Sequence, residues 1–285
     1  MRWTAGDREN IEDRRGGGGG RGFGGVAPIG LGGLLLLLVL SWATGTNFLS
    51  LIDTGGGSVG DVASSGPVRS TPDEEKLVDL VNAVSGDVQS TWTRLLGGRY
   101  RPVKTVLFRD VTRTACGLGE TASGPFYCPG DQLVYLDLSF FEELSRKFRA
   151  PGDFAQAYVI AHEYGHHVQN LLGINERVGL DRAGANSASV ALELQADCFA
   201  GVWGHFASQP GRAQRGQVEL DPGDAEEALT AAAAIGDDRL QKMSTGRVQP
   251  ERFTHGSSAQ RVEWFGRGMR SGEPGSCDTF AALTQ

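Results

Sequence analysis

The stretch "DFAQAYVIAHEYGHHVQNLLG", Asp153 to Gly173, reads as a single helix. Asp153 and Gln156 have the spacing of a capping box, and Gly173 is a natural stop. Val159, Ile160, Ala161, Val168, Leu171 and Leu172 surround its polar residues, so the helix is expected to be buried. Three of the chain's five histidines fall here, at 162, 166 and 167. His162 and His166 stand at i and i+4 and leave one face of the helix about one turn apart. Two imidazoles so held suit one zinc ion. Glu163 lies near the same edge, where it can take a proton from a water that the metal activates. Burying imidazoles and a carboxylate without a partner is costly, and a metal supplies one. His167 points about 100° further round and is expected to be a core or substrate-side hydrogen-bonding group.

A catalytic zinc needs a third protein ligand and keeps one position open. The stretch "LELQADCFAG" offers Glu193 and Asp197, again i and i+4 on an apolar helix. One carboxylate can bind the metal while the other holds the outward ring nitrogen of a ligating histidine. Thr254-His255-Gly256-Ser257 reads as a loop before a helix. His255 there is either a neutral loop histidine or a donor aimed at a tetrahedral oxyanion. Tyr164 is an alternative donor but faces away from the zinc edge, and His205 reads as structural.

Outward from these helices, "TPDEEKLVDLVNAVSGDVQSTWTRLL", "DAEEALTAAAAIGDDRLQ" and "SSAQRVEWFGRGM" also read as helices, while "VKTVLF" (103–108) and "QLVYLDL" (132–138) read as strands. The expected class is α+β, helix-rich with a small sheet. One strand of the two is expected to form the active-site edge and to pair with extended substrate.

The N-terminal part has a different composition. Residues 1–25 are polar and glycine-rich and are expected to be a flexible head. From Val26 to Ile52 there is no charged side chain, which predicts a transmembrane helix. Arginines precede it and aspartates follow it, which predicts a cytoplasmic N-terminus and an extracytoplasmic domain, a single pass through the cell membrane. A cleaved signal peptide ending near Ser41-Trp42-Ala43 is the competing reading. Residues 53–70 read as a Gly/Ser linker and 71–285 as the domain. Export would favour disulfides: Cys116 with Cys128 across a short loop, and Cys198 with Cys277 tying a zinc-ligand helix to the tail. A cysteine–zinc site lacks the paired C-x-x-C spacing. The net charge of −7 argues against nucleic-acid binding.

The run of His162-Glu163-x-x-His166 followed by Glu193-x-x-Ala196-Asp197 resembles the gluzincin arrangement of zinc metallopeptidases. Together with "GPFYCPGDQLVYLDLSFF", "THGSSAQRVEWFGRG" and "CDTF", it resembles more closely the bacterial family named "putative neutral zinc metallopeptidase". That resemblance spans 71–285 and implies a zincin-like domain, with His162, His166 and Glu193 as zinc ligands, Glu163 as catalytic base and Asp197 as the carboxylate behind a ligand. The expected activity is hydrolysis of peptide bonds in a peptide or protein substrate. A non-catalytic zinc-stabilised envelope scaffold and a hydrolase of non-peptide amides are the alternatives.

Overall fold

A computed structural model describes residues 1–16, 70–120, 124–215 and 217–282. Its sheet has four strands in the order β1–β2–β6–β5: β1 (Ile11–Asp13), β2 (Thr105–Phe108), β6 (Leu133–Asp137) and β5 (Phe126–Cys128). The first three are parallel, and β5 runs antiparallel to β6. A separate hairpin joins β3 (Val111–Thr114) to β4 (Gly117–Glu120). Both expected strands are present, but β2 and β6 have neighbours on either side. The edges are β1 and β5, and β5, from the "GPFYCPG" stretch, is a short run that carries little alternation.

The helices are α1 (Pro72–Leu96), α2 (Ser139–Arg146), α3 (Asp153–Leu171), α4 (Ala188–Ala207), α5 (Asp224–Ala234), α6 (Asp237–Thr245), α7 (Ser258–Ser271) and the short α8 (Thr279–Ala282). The main core lies between α1, α3, α4, α5, α7 and the inner face of the sheet, where Leu107, Val134 and Leu136 are fully buried. Val106, Phe108, Cys128 and Tyr135 form a second, smaller cluster on the outer face. This is the period-two alternation of strands buried on both sides. The expected helix 224–241 breaks at Ile235-Gly236. A Cβ on Gly236 would lie 2.3 Å from the Ser258 nitrogen, so the chain turns there against the start of α7. Helix α3 begins at Asp153 with Gly152 as its cap, so the proposed capping box does not form. Glu227 of α5 instead accepts from the Phe154 N–H at 3.1 Å.

The N-terminal reading needs correction. Residues 1–15 are part of the same compact unit as the domain. Ile11, Glu12 and Asp13 pair with Thr105, Val106 and Leu107. Arg8 bonds Glu75 and Asp79, and Arg15, with its side chain only 1 % exposed, reaches Asp13, Glu74 and Glu75. The amino group of Met1 sits among Asp153, Asp221 and Asp224. A fold in which one transmembrane helix precedes the whole domain is therefore corrected: residues 11–13 are built into the domain's sheet as a strand. Among the described residues no helix is long and apolar enough to cross a membrane. The compact unit takes in residues 1–15 beside those from Ser70 onward. Arg15 and Ser70, on the described segments either side of residues 17–69, are hydrogen-bonded at 3.2 Å. The expected anchor at 26–52 and the linker, except Ser70, lie outside the described residues.

Candidate metal centre and cleft

The geometry starts with how close two helices come. Gly165 of α3 faces Ala196 of α4, and a Cβ on Gly165 would lie 3.0 Å from the Ala196 backbone oxygen. With no side chain between them, the helices approach until the 162/166 face of one meets Glu193 of the other. His162 Nε2 is 3.2 Å from Glu193 Oε2, and His166 Nε2 is 3.5 Å from Glu193 Oε1. These three residues form a group whose ligand atoms all lie within 4.8 Å of one another.

The outer nitrogens of both imidazoles are occupied. His162 Nδ1–H donates to Asp197 Oδ1 at 2.8 Å. His166 Nδ1–H donates to Gln169 Oε1 at 2.8 Å, and the Gln169 amide is oriented by its own donation to the Leu192 carbonyl. In the neutral rings each Nε2 then presents a lone pair toward a carboxylate, an arrangement that needs a cation between them. The fit to zinc is good: ligand bonds of about 2.0–2.1 Å in a tetrahedron separate donor atoms by about 3.3 Å. Without a metal the cluster takes up protons. Burial alone would lower the His162 imidazole, but Asp197 and Glu193 outweigh it and raise it to about 10. Burial likewise opposes, and Glu193 overcomes, in raising His166.

Behind His162 lies a buried ionic network. Asp197, fully enclosed, accepts from Tyr158 Oη at 2.6 Å and from Arg261 Nε at 2.8 Å and Nη2 at 2.9 Å. Burial would raise the Asp197 carboxyl, but Arg261 and His162 more than offset it and hold it at about 2. A second close crossing delivers Arg261. A Cβ on Gly268 of α7 would fall 2.0 Å from the Cys198 oxygen of α4, and one on Gly201 would fall 2.1 Å from the Phe265 oxygen. Disulfides join Cys198 to Cys277 and Cys116 to Cys128.

Glu163 is 6 % exposed, and burial raises its carboxyl, with the two imidazoles acting in the opposite direction. It lines a cleft of about 970 Å³ with His162, His166, Glu193 and His255, walled by Phe126, Tyr127, Phe140, Phe148, Ile235 and Leu240. His255 belongs to the loop that the sequence singled out. Asp237 builds that loop: its Oδ2 accepts the backbone N–H groups of Thr254, His255 and Gly256, and its Oδ1 lies 3.4 Å from His255 Nδ1. The Asp237 hydrogen bond raises the His255 imidazole against partial burial, and Glu193 adds to the rise. Tyr164 is away from the cleft, bonded to Thr105 under the sheet. His205 Nδ1–H donates to the Met269 carbonyl at the end of α7.

Tyr158, Gln169, Asp237 and Arg261 were not singled out in the sequence. Three of them carried a signal. Tyr158 precedes His162 by one turn on the ligand face, Gln169 follows His166 by three residues, and Arg261 sits inside the "SSAQRVEWFGRG" stretch. Asp237 had none, since its loop partners are set by the helix break.

Two imidazoles and a carboxylate on crossed helices make a donor set that could hold a metal ion, and a further carboxylate, Glu163, lines the adjoining cleft. Residues 1–280 match the family described as "Putative neutral zinc metallopeptidase", and the chain belongs to it. It is 47% identical over 294 residues to the Escherichia coli protein named "Uncharacterized protein YpfJ", a match covering 98% of this chain and 99% of that one. It is 46% identical over 219 residues to the Mycobacterium tuberculosis protein named "Uncharacterized protein Rv2575", covering 75% of this chain and 74% of the relative. No solved structure matches the chain.

Proposed function

We propose that the protein is a zinc-dependent peptidase in which His162, His166 and Glu193 hold the metal and Glu163 is the general base. The observation that carries this reading is the convergence of two Nε2 lone pairs on Glu193 with a desolvated carboxylate on the next residue of the same helix turn. A bound zinc ion supplies a Lewis acid that polarises a carbonyl and lowers the pKa of water.

The chain's own groups do the rest. Glu163, with its affinity for protons raised by burial, takes the proton of the attacking water and passes it to the departing amine. Asp197 fixes the His162 tautomer and Gln169 that of His166, so both rings keep their Nε2 lone pairs turned inward. His255, braced by Asp237, is the donor toward the oxyanion. The substrate lies extended along β5, whose outer edge has no strand partner among the described residues.

The peptidase reading is favoured over a zinc-stabilised scaffold by the open cleft and by Glu163, which a closed structural site does not require. It is favoured over hydrolysis of a small amide by that strand edge at the cleft. The test is to incubate the full chain, stripped of metal and then reloaded with zinc, with a complex peptide mixture and identify the products by mass spectrometry. Zinc-dependent internal or terminal cleavages are expected. A loaded chain that cleaves no peptide would refute the reading.

A further inference from the structure

Strand β5 has only three residues, the short end of the usual range, and pairs with β6 alone among the described strands. Each of the three is pinned by a different device. Phe126 stacks on Tyr135 at 4.9 Å between ring centres, with the β3–β4 hairpin closing over it at Gly119. Cys128 is bridged to Cys116. Tyr127, whose side chain leaves the opposite face, reaches helix α3.

The hydroxyl of Tyr127 is fully committed there. It donates to His167 Nδ1 at 3.1 Å and accepts from Asn170 Nδ2 at 3.0 Å. His167 is completely enclosed, and its Nε2–H donates to the Arg101 carbonyl at 2.7 Å, which leaves Nδ1 as the acceptor. His166 and His167 are neighbours on one helical turn, so their side chains diverge by about 100°. One turn of α3 thus carries a metal-binding imidazole on one face and the grip on the edge strand on the next.

We propose that His167 and Asn170 are positioning residues that clamp Tyr127 and thereby fix the height of the β5 edge above the metal-binding turn. This rests on the peptidase reading, because it assigns the clamp to the strand along which the substrate lies. The clamp acts on substrate alignment and leaves the chemistry to Glu163. A peptide seated on a mobile edge loses binding, because it must then order the strand as well as itself.

The test is steady-state cleavage of one peptide substrate by the full, zinc-loaded chain and four variants, with amide exchange of residues 126–128 read alongside. Tyr127→Phe removes both hydrogen bonds and keeps the ring. KM should rise on the order of tenfold, with kcat and zinc content within about twofold of wild type and faster exchange at β5. His167→Leu should behave in the same way. His167→Gln, whose amide can both donate to the Arg101 carbonyl and accept from Tyr127, should return KM close to wild type. Asn170→Ala, at a half-buried position, tests the clamp even where the buried variants fold poorly, and should raise KM about threefold. A lower melting temperature with wild-type KM and wild-type β5 exchange in Tyr127→Phe and Asn170→Ala would overturn the clamp and leave the peptidase reading standing. A wild-type chain that cleaves no peptide would remove both.

Discussion

Asp197 stands behind the proposed metal ligands: it joins Tyr158, His162 and Arg261 with no exposure to water. Replacing it by Asn leaves the Arg261 guanidinium buried without a counter-charge, which costs about 3–5 kcal/mol. It also loosens the His162 tautomer, which lowers metal affinity by about 10–100-fold. Urea unfolding and zinc competition titration on Asp197→Asn should show both losses, and a variant with wild-type values in each would contradict the network's role. The residues legible in the sequence were those whose chemistry needs a fixed spacing on one helix. His162, Glu163 and His166 stood out for that reason, as did Glu193 and Asp197. The partners that close the site from other helices, Arg261 and Asp237, depend on crossings and turns that no local spacing encodes.

At the scale of elements, the crossing of α3 and α4 is set by Gly165 against Ala196. Gly165→Ala puts a methyl group 3.0 Å from the facing backbone, and overpacking of this kind costs about 1–3 kcal/mol. Because the same crossing brings the histidines to Glu193, zinc affinity should fall along with the unfolding midpoint. Unchanged zinc affinity would mean that the ligands do not depend on helix separation. The docking of residues 1–15 gives a pH prediction. Hydrogen bonds from Ser70 and Arg8 lead the effects that hold the Glu75 carboxyl at about 2, against an ordinary 4.5. A carboxyl depressed in the folded state stabilises fully above its unfolded pKa and loses that contribution as pH falls through the folded one. The stability difference between wild type and Glu75→Gln should therefore be constant above about pH 5 and shrink as pH falls toward 2. Denaturant midpoints at several pH values measure it, and a difference independent of pH would contradict the ion-pair docking. Helices and the two inner strands were legible because apolar period and caps mark long elements. The arm and β5 were not, since strands of three residues leave almost no period and their pairing partners lie far along the chain.

For the whole molecule, the N-terminal strand changes what counts as the domain. A chain beginning at residue 71 lacks β1 and exposes the edge of β2. It also loses the bond from Gln89 to Asn10 and the ion pairs of Arg8 and Arg15. It should unfold at a lower denaturant concentration than the full chain and tend to associate through the bared edge; equal midpoints would show that the arm contributes nothing. Function must therefore be measured on the full chain. The most direct measurement loads wild type and Glu163→Gln with zinc, determines bound metal in each, and follows cleavage of the same peptide. One zinc per chain in both, with turnover in the variant reduced by at least about a thousandfold, is the predicted result. Equal turnover in the two proteins, at equal zinc, would contradict Glu163 as the base and with it the proposed mechanism.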